Sequence, residues 1–150
     1  MSVKFTVTGE PVGKGRPRFR VAGTKENPYV QTYTDDKTAR YEDRVRAEYR
    51  KQCRSFKFEA GTMIDMRIIA YYRIPKSETK GMKTAMEARV IRPMKTPDCD
   101  NVLKVIADAL NGVAYKDDRA IVDCQIRKYY SHQPRVEVTI LPAKNERSQL

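Results

Sequence analysis

The stretch from Thr62 to Ile74 constrains this chain more than any other. Ile64, Met66, Ile68, Ala70, Tyr72 and Ile74 alternate with Asp65, Arg67 and Arg73. A period of two is that of a strand with one buried and one wetted face. Slipping its register by one residue would carry every apolar side chain to the solvent face, so its register is specified. Pro75 has no N–H to continue a ladder and ends it. A long half-buried strand cannot stand alone, so the chain must supply further strands and a covering layer.

It does. Val3 to Thr8 alternates in the same way. Asn27-Pro28 reads as a turn with a short strand, Tyr29 to Tyr33, after it. Ala120 to Ser131 and Arg135 to Leu141 read as two strands joined by His132-Gln133-Pro134. Two helices follow the 3.6 period. Thr34 offers an N-cap with Asp35 and Asp36 in the first turn, and the helix should run to about Arg54, burying Tyr41, Val45, Tyr49 and Cys53. Asp100 to Asn111 buries Val102, Leu103, Ile106, Ala109 and Leu110, with Gly112 as its stop. Gly9 to Arg20 reads as a loop. Residues 76–97 are polar and basic and read as a mobile loop with at most a short helix near 80–89. The last nine residues read as a frayed tail. The expected architecture is α+β: a single domain over residues 1–150, with a mixed, mainly antiparallel sheet packed against two main helices.

Composition closes off several functions. No apolar run approaches the roughly 20 residues of a membrane span, and the N-terminus has no apolar signal core. Cys53, Cys99 and Cys124 are odd in number and contain no CxxC, which fits the reducing cytoplasm better than a disulfide framework or a zinc site. His132 stands alone, so no site needing several histidines can be built.

The charge is +11, from 30 basic and 19 acidic side chains. A polyanion such as nucleic acid is the expected partner, against the plainer reading of a basic surface. The surplus is unevenly placed. Residues 98–123 hold six aspartates against three bases, a local −3, which leaves +14 for the rest. Carboxylates repel a phosphate backbone unless a divalent cation lies between them.

The acidic window is organised. Asp98 and Asp100 stand two apart at the entrance of the second helix, where an extended backbone would point both to one side. Gly112 ends that helix, and a short turn returns the chain at Asp117-Asp118. Three carboxylates together suit a hard cation such as Mg²⁺, which can polarise a phosphodiester. Lys104, one turn past Asp100, is placed to stabilise developing negative charge. A structural reading stays open: Asp100 as an N-cap, Asp98 and Asp117-Asp118 as turn residues, Lys104 as an ion-pair partner. Cys99 is a poor Mg²⁺ ligand and is expected to be half-buried.

These residues resemble a known family. Pro97-Asp98-Cys99-Asp100-Asn101-Val102-Leu103-Lys104, Asp108-Ala109-Leu110-Asn111-Gly112 and Tyr115-Lys116-Asp117-Asp118 look like the signature of the RusA family of Holliday junction resolvases, in the form found in Gram-positive bacteria and their phages. Gly9-Glu10-Pro11 with Lys14-Gly15-Arg16-Pro17-Arg18 resembles the family's basic N-terminal loop, and the likeness extends over about residues 3–141. Thr96 stands where the family carries a base, with Lys95 next to it, and Cys99 where it carries an apolar residue.

The resemblance implies a homodimeric, Mg²⁺-dependent endodeoxyribonuclease, with Mn²⁺ as a substitute ion. It implies paired nicks in four-way junction DNA during recombination and repair, in a bacterial cytoplasm, whether encoded by host or prophage. It implies catalytic roles for Asp98, Asp100, Asp118 and Lys104. The same three aspartates, with Asp117 as the alternative to Asp118, would be the metal ligands. Phosphate contacts are expected from Lys14, Arg16, Arg18 and Arg20, and secondarily from Arg44, Arg46 and Lys51. The competing reading is a non-catalytic junction- or duplex-binding protein with a structural ion site.

Overall fold

In the computed structural model, which describes residues 1–145, the alternating stretch forms a ten-residue strand at the centre of the sheet. The strands are β1 (Val3–Thr8), β2 (Arg18–Gly23), β3 (Pro28–Tyr33), β4 (Ile64–Arg73), β5 (Ile121–Ser131) and β6 (Arg135–Pro142). The helices are α1 (Asp36–Gln52), α2 (Lys80–Glu87) and α3 (Cys99–Ala109). The main sheet has the order β1-β6-β4-β5. β6 runs antiparallel to both its neighbours, and β5 runs parallel to β4, so the sheet is mixed as expected.

One face of this sheet carries the core. Phe5 and Val7 of β1, Ile64 to Tyr72 at alternate positions of β4, and Val136, Val138 and Ile140 of β6 meet Tyr41, Val45 and Tyr49 of α1 and Val102, Val105, Ile106 and Ala109 of α3. The α1 stripe at every fourth residue is buried as its spacing predicts, with Cys53 half-buried at its end. The sheet's other face is largely polar, with Arg67, Gln125, Arg127 and Thr139 around Ile69.

β5 and β6 are adjacent in sequence but do not pair; β4 lies between them. Three connecting residues reach about 13 Å when extended, enough to cross two strand spacings of about 4.8 Å. The crossing needs β4 to stop short. Pro75 stops it, and the Ile74 N–H donates to the Ser131 carbonyl at the point where the connection begins.

Several boundaries differ from those read off the sequence. β2 lies partly inside the segment read as a loop, and with β3 it forms a separate two-stranded ribbon. Its Gly, Pro and Arg content hides the pairing, because an exposed ribbon shows no buried face. Asp35, not Thr34, holds the α1 N-cap position. α3 begins at Cys99, with Asp98 as N-cap. Segment 76–97 holds α2, capped by the Thr79 hydroxyl accepting from the Met82 N–H at 3.2 Å, and Met86 anchors it in the protein. The expected tail over 142–150 is partly strand at Pro142, and residues 146–150 lie outside the described residues. Among the described residues no helix is long and apolar enough to cross a membrane.

Ile68 sits at the middle of β4, paired to Ile126 and Val138 and wholly buried. Ile68→Ala should destabilise the fold by about 2–5 kcal/mol through lost burial and a residual cavity. The check is the shift of the denaturant midpoint at an unchanged m-value.

Candidate active site

Three contacts fix the entrance of α3. The Tyr72 hydroxyl, buried on the core side of β4, donates to the Pro97 carbonyl at 2.5 Å. The Lys14 N–H donates to the Asn101 carbonyl at 2.9 Å. Gly13 lies so close that an added Cβ would stand 2.7 Å from Pro97 Cβ and 3.1 Å from Asn101 Cβ. The N-terminal loop therefore packs directly on the Pro97-Asp98 turn, and only glycine allows that approach. Burial and the nearby charges of Cys99, Asp98 and Glu10 push the Tyr72 phenol well above its usual range, so it stays a proton donor.

Asp98 and Asp100 emerge at this fixed point. Asp98 is extended at the N-cap but accepts no capping hydrogen bond. Asp100 lies in the first helical turn. Both side chains are exposed, and neither has a hydrogen-bond or ion-pair partner among the described residues. Because the helix starts before Asp100, the extended backbone expected at both aspartates holds only for Asp98. Cys99 between them is exposed rather than half-buried.

The return turn is held as firmly. Gly112 takes φ +73°, and its N–H donates to the Tyr115 carbonyl at 2.8 Å. The Tyr115 hydroxyl donates to the Ala107 carbonyl at 2.6 Å inside the core. Asn111 Oδ1 accepts the Asp118 N–H at 2.8 Å, tying the turn to the end of α3. Asp117 Oδ1 accepts the Arg119 N–H at 2.9 Å and its Nε–H at 3.2 Å. The backbone bond is the main reason the Asp117 carboxyl lies below its ordinary value. Asp118 goes the other way: burial first, then the carboxylates of Asp117 and Asp108, raise it.

Along α3, Asp100, Lys104 and Asp108 form one stripe that spans about 12 Å of helix. Lys104 Nζ lies 3.5 Å from Asp108 Oδ2, and Lys14 Nζ is equally close to the same oxygen. Lys14 also bonds Glu42 of α1 at 2.7 Å. Burial works against the Lys14 charge, but Glu42 and Asp108 outweigh it and raise the ammonium above its ordinary value.

Asp118 thus neighbours Asp117 in the return turn and Asp108 near the far end of α3, Lys104 reaches Asp108 from mid-helix, and Asp98 and Asp100 stand at the helix entrance. Among the described residues no three Asp, Glu, His or Cys side chains converge into a ready metal cluster. In kind the donors fit a hard cation: all are carboxylate oxygens, and those of Asp98 and Asp100 are unspent.

Lys14 is half-buried between two carboxylates rather than presented outward. Arg16, Arg18 and Arg20 are exposed; Arg18 pairs with Asp35 at 3.3 Å, and Arg20 lies over the Tyr33 ring on the ribbon. Arg46 is turned inward to Asp43, Glu42 and the Ala109 carbonyl. Three positioning residues escaped the sequence reading: Gly13, Tyr72 and Asn111. Asn111 carried a signal, since it stands in the same motif as Asp108, and so did Tyr72, in a stretch that resembles the end of the family's central strand.

A family model described as endodeoxyribonuclease RusA matches residues 8–141. The chain is also 38% identical over 140 residues to the uncharacterized protein YqaN of Bacillus subtilis (strain 168), covering 92% of this chain and 94% of that protein.

Asn111→Ala should release the Asp118 amide. Hydrogen exchange at that amide should quicken while global stability falls by only about 1 kcal/mol, as followed by NMR and thermal unfolding.

Proposed function

The chain belongs to the RusA family of endodeoxyribonucleases, the resolvases of Holliday junctions, and from that membership we propose that it cuts four-way DNA junctions by paired, symmetric nicks as a Mg²⁺-dependent homodimer. One observation carries the reading: two exposed aspartates with unspent oxygens, on a rigidly held helix entrance, inside a chain that is strongly basic elsewhere.

Asp98, Asp100 and Asp118 are the proposed ligands. Asp118 is favoured over Asp117 because Asp117 already spends an oxygen on the Arg119 N–H and guanidinium. When bound, Mg²⁺ (or Mn²⁺ in its place) supplies charge for polarising the scissile phosphodiester and lowering the pKa of a water. Lys104, with an ammonium exposed to solvent beside Asp108, is proposed to neutralise charge that develops on the phosphoryl oxygens. Tyr72, Gly13 and Asn111 act through position: they hold the backbone of the helix entrance and of the return turn, which leaves the carboxylate side chains to close on the ion.

Arg16, Arg18 and Arg20 are the proposed phosphate contacts from the N-terminal loop and ribbon. The Arg18–Asp35 pair has an exposed guanidinium and a half-buried carboxylate, and its open arginine side can exchange the carboxylate for a phosphate. Lys14 takes a different part, as the internal link that seats this loop on α1 and α3. One acidic site per chain means two symmetric cuts require two chains, and a two-fold dimer matches a junction with like strands paired.

The test is nicking of an end-labelled four-way junction with and without Mg²⁺. Asp98→Asn should lower the cleavage rate at least ~100-fold while junction affinity persists, since it removes transition-state stabilisation rather than phosphate grip. A wild-type chain that binds the junction but leaves it uncut would favour a DNA-binding protein with a structural ion site. Arg16→Ala and Arg18→Ala should each flatten the salt dependence of binding by about 0.9 in log–log slope.

A further inference from the structure

The polar face of the sheet holds a second basic site that the catalytic reading does not use. Tyr71 of β4 and Tyr129 of β5 stand side by side there, with ring centres 6.0 Å apart. Four guanidinium groups gather on them. Arg135 lies 3.9 Å over the Tyr71 ring, and Arg89 and Arg92 lie 4.2 Å and 4.6 Å over Tyr129. Arg127 stands two residues before Tyr129 on the same face of β5, and its charge acts on the Tyr129 hydroxyl. Burial of Tyr129 tends to raise its phenol, but Arg127, Arg92 and Arg89 together bring it below its ordinary value.

The acids at this place are already engaged. Glu137 pairs with Arg135 at 3.0 Å, and Glu87 pairs with His132. Arg89, Arg92 and Arg127 have no carboxylate partner among the described residues, and all three are exposed. Three like charges drawn to one ring repel one another; cation–π contact offsets part of that cost, and an anion would offset the rest. An open cleft of about 300 Å³ lies beside Tyr71, Arg89 and Arg135.

The cluster is tied to the candidate active site by the chain itself. Arg92 Nε donates to the Lys128 carbonyl on the free edge of β5 at 2.9 Å. Lys95 then lies over Tyr130, and Lys128 Nζ donates to the Lys95 carbonyl at 2.6 Å. Segment 89–97 therefore wraps the edge of β5 from the polar face to the Pro97-Asp98 turn. Nine residues reach at most about 32 Å, so Arg89 lies within about one turn of duplex from Asp98.

We propose that Arg89, Arg92 and Arg127, seated on Tyr129, form a second phosphate-binding site that grips the backbone of a junction arm leading away from the cut. The inference rests on the junction-cutting reading above. It assigns to the β5 edge a grip separate from Arg16, Arg18 and Arg20.

The experiment is titration of a labelled four-way junction across a salt series, with a thermal melt on each variant. The combined change Arg89→Gln, Arg92→Gln, Arg127→Gln should flatten the log–log slope by about 2.7 and weaken binding at least tenfold near 0.1 M salt. Arg127→Gln alone, at an exposed side chain, should remove about 0.9 of that slope with an unchanged melt. Saturating DNA should restore cleavage in both, since neither touches the aspartates. A folded Arg127→Gln chain with wild-type slope and affinity would overturn the second site while leaving the nuclease reading intact. A wild-type chain that binds no junction would overturn both.

Discussion

β4 is hydrogen-bonded on both sides along most of its length, to β5 throughout and to β6 over eight residues. That double pairing fixes where every second residue points. Tyr71 and Tyr72 are neighbours in sequence, so they must face opposite sides of the sheet. Tyr72 enters the core side and holds the Pro97 carbonyl; Tyr71 enters the polar side and carries Arg135 next to Tyr129. One strand thus sets the position of the acidic site and of the arginine cluster together, and a slip of its register would lose both.

The acidic window is less naked than its sequence suggests. Asp108 is shared by Lys14 and Lys104, and Glu42 engages Lys14 and lies near Arg46. These contacts join the N-terminal loop, α1 and α3 through one half-buried ammonium. Removing a single partner from such a group leaves a poorly solvated charge behind, which is why the link specifies geometry more than it adds stability. What stays unneutralised is Asp98 and Asp100 at the helix entrance. Local charge balance therefore separates a structural carboxylate, Asp108, from two that remain available.

The basic surplus divides in the same way. Some of it is engaged by the protein: Lys14 between carboxylates and Arg46 against the end of α3, both half-buried, and the exposed Arg44 on the Thr8 carbonyl. Some is outward: Arg16, Arg18 and Arg20 from the loop and ribbon, and Arg89, Arg92 and Arg127 around Tyr129. Net charge counts both kinds alike, although only the second can release counterions from DNA. Segment 76–97, whose polarity and basic charge predict a mobile loop, is anchored by Met86, by stacked guanidiniums and by an edge hydrogen bond. Those contacts are made by residues far away in sequence, so no local pattern announces them.

Elements with two unlike faces are legible from residue order alone: the alternation of β4, the four-residue stripe of α1 and the apolar face of α3 all report burial directly. Residue order also determined the family, because Pro97 to Asp118 is one short, nearly contiguous signature. Folding in three dimensions is what places β4 between β5 and β6, makes Gly13 yield room to Pro97, and turns Lys14 inward while Arg16 stays exposed. The reason is physical. Periodicity records how one segment meets water and core, but strand order, close approach and charge pairing depend on which distant residue arrives opposite. Two lysines or arginines that look alike in sequence become a structural link or a free cation according to that neighbour alone.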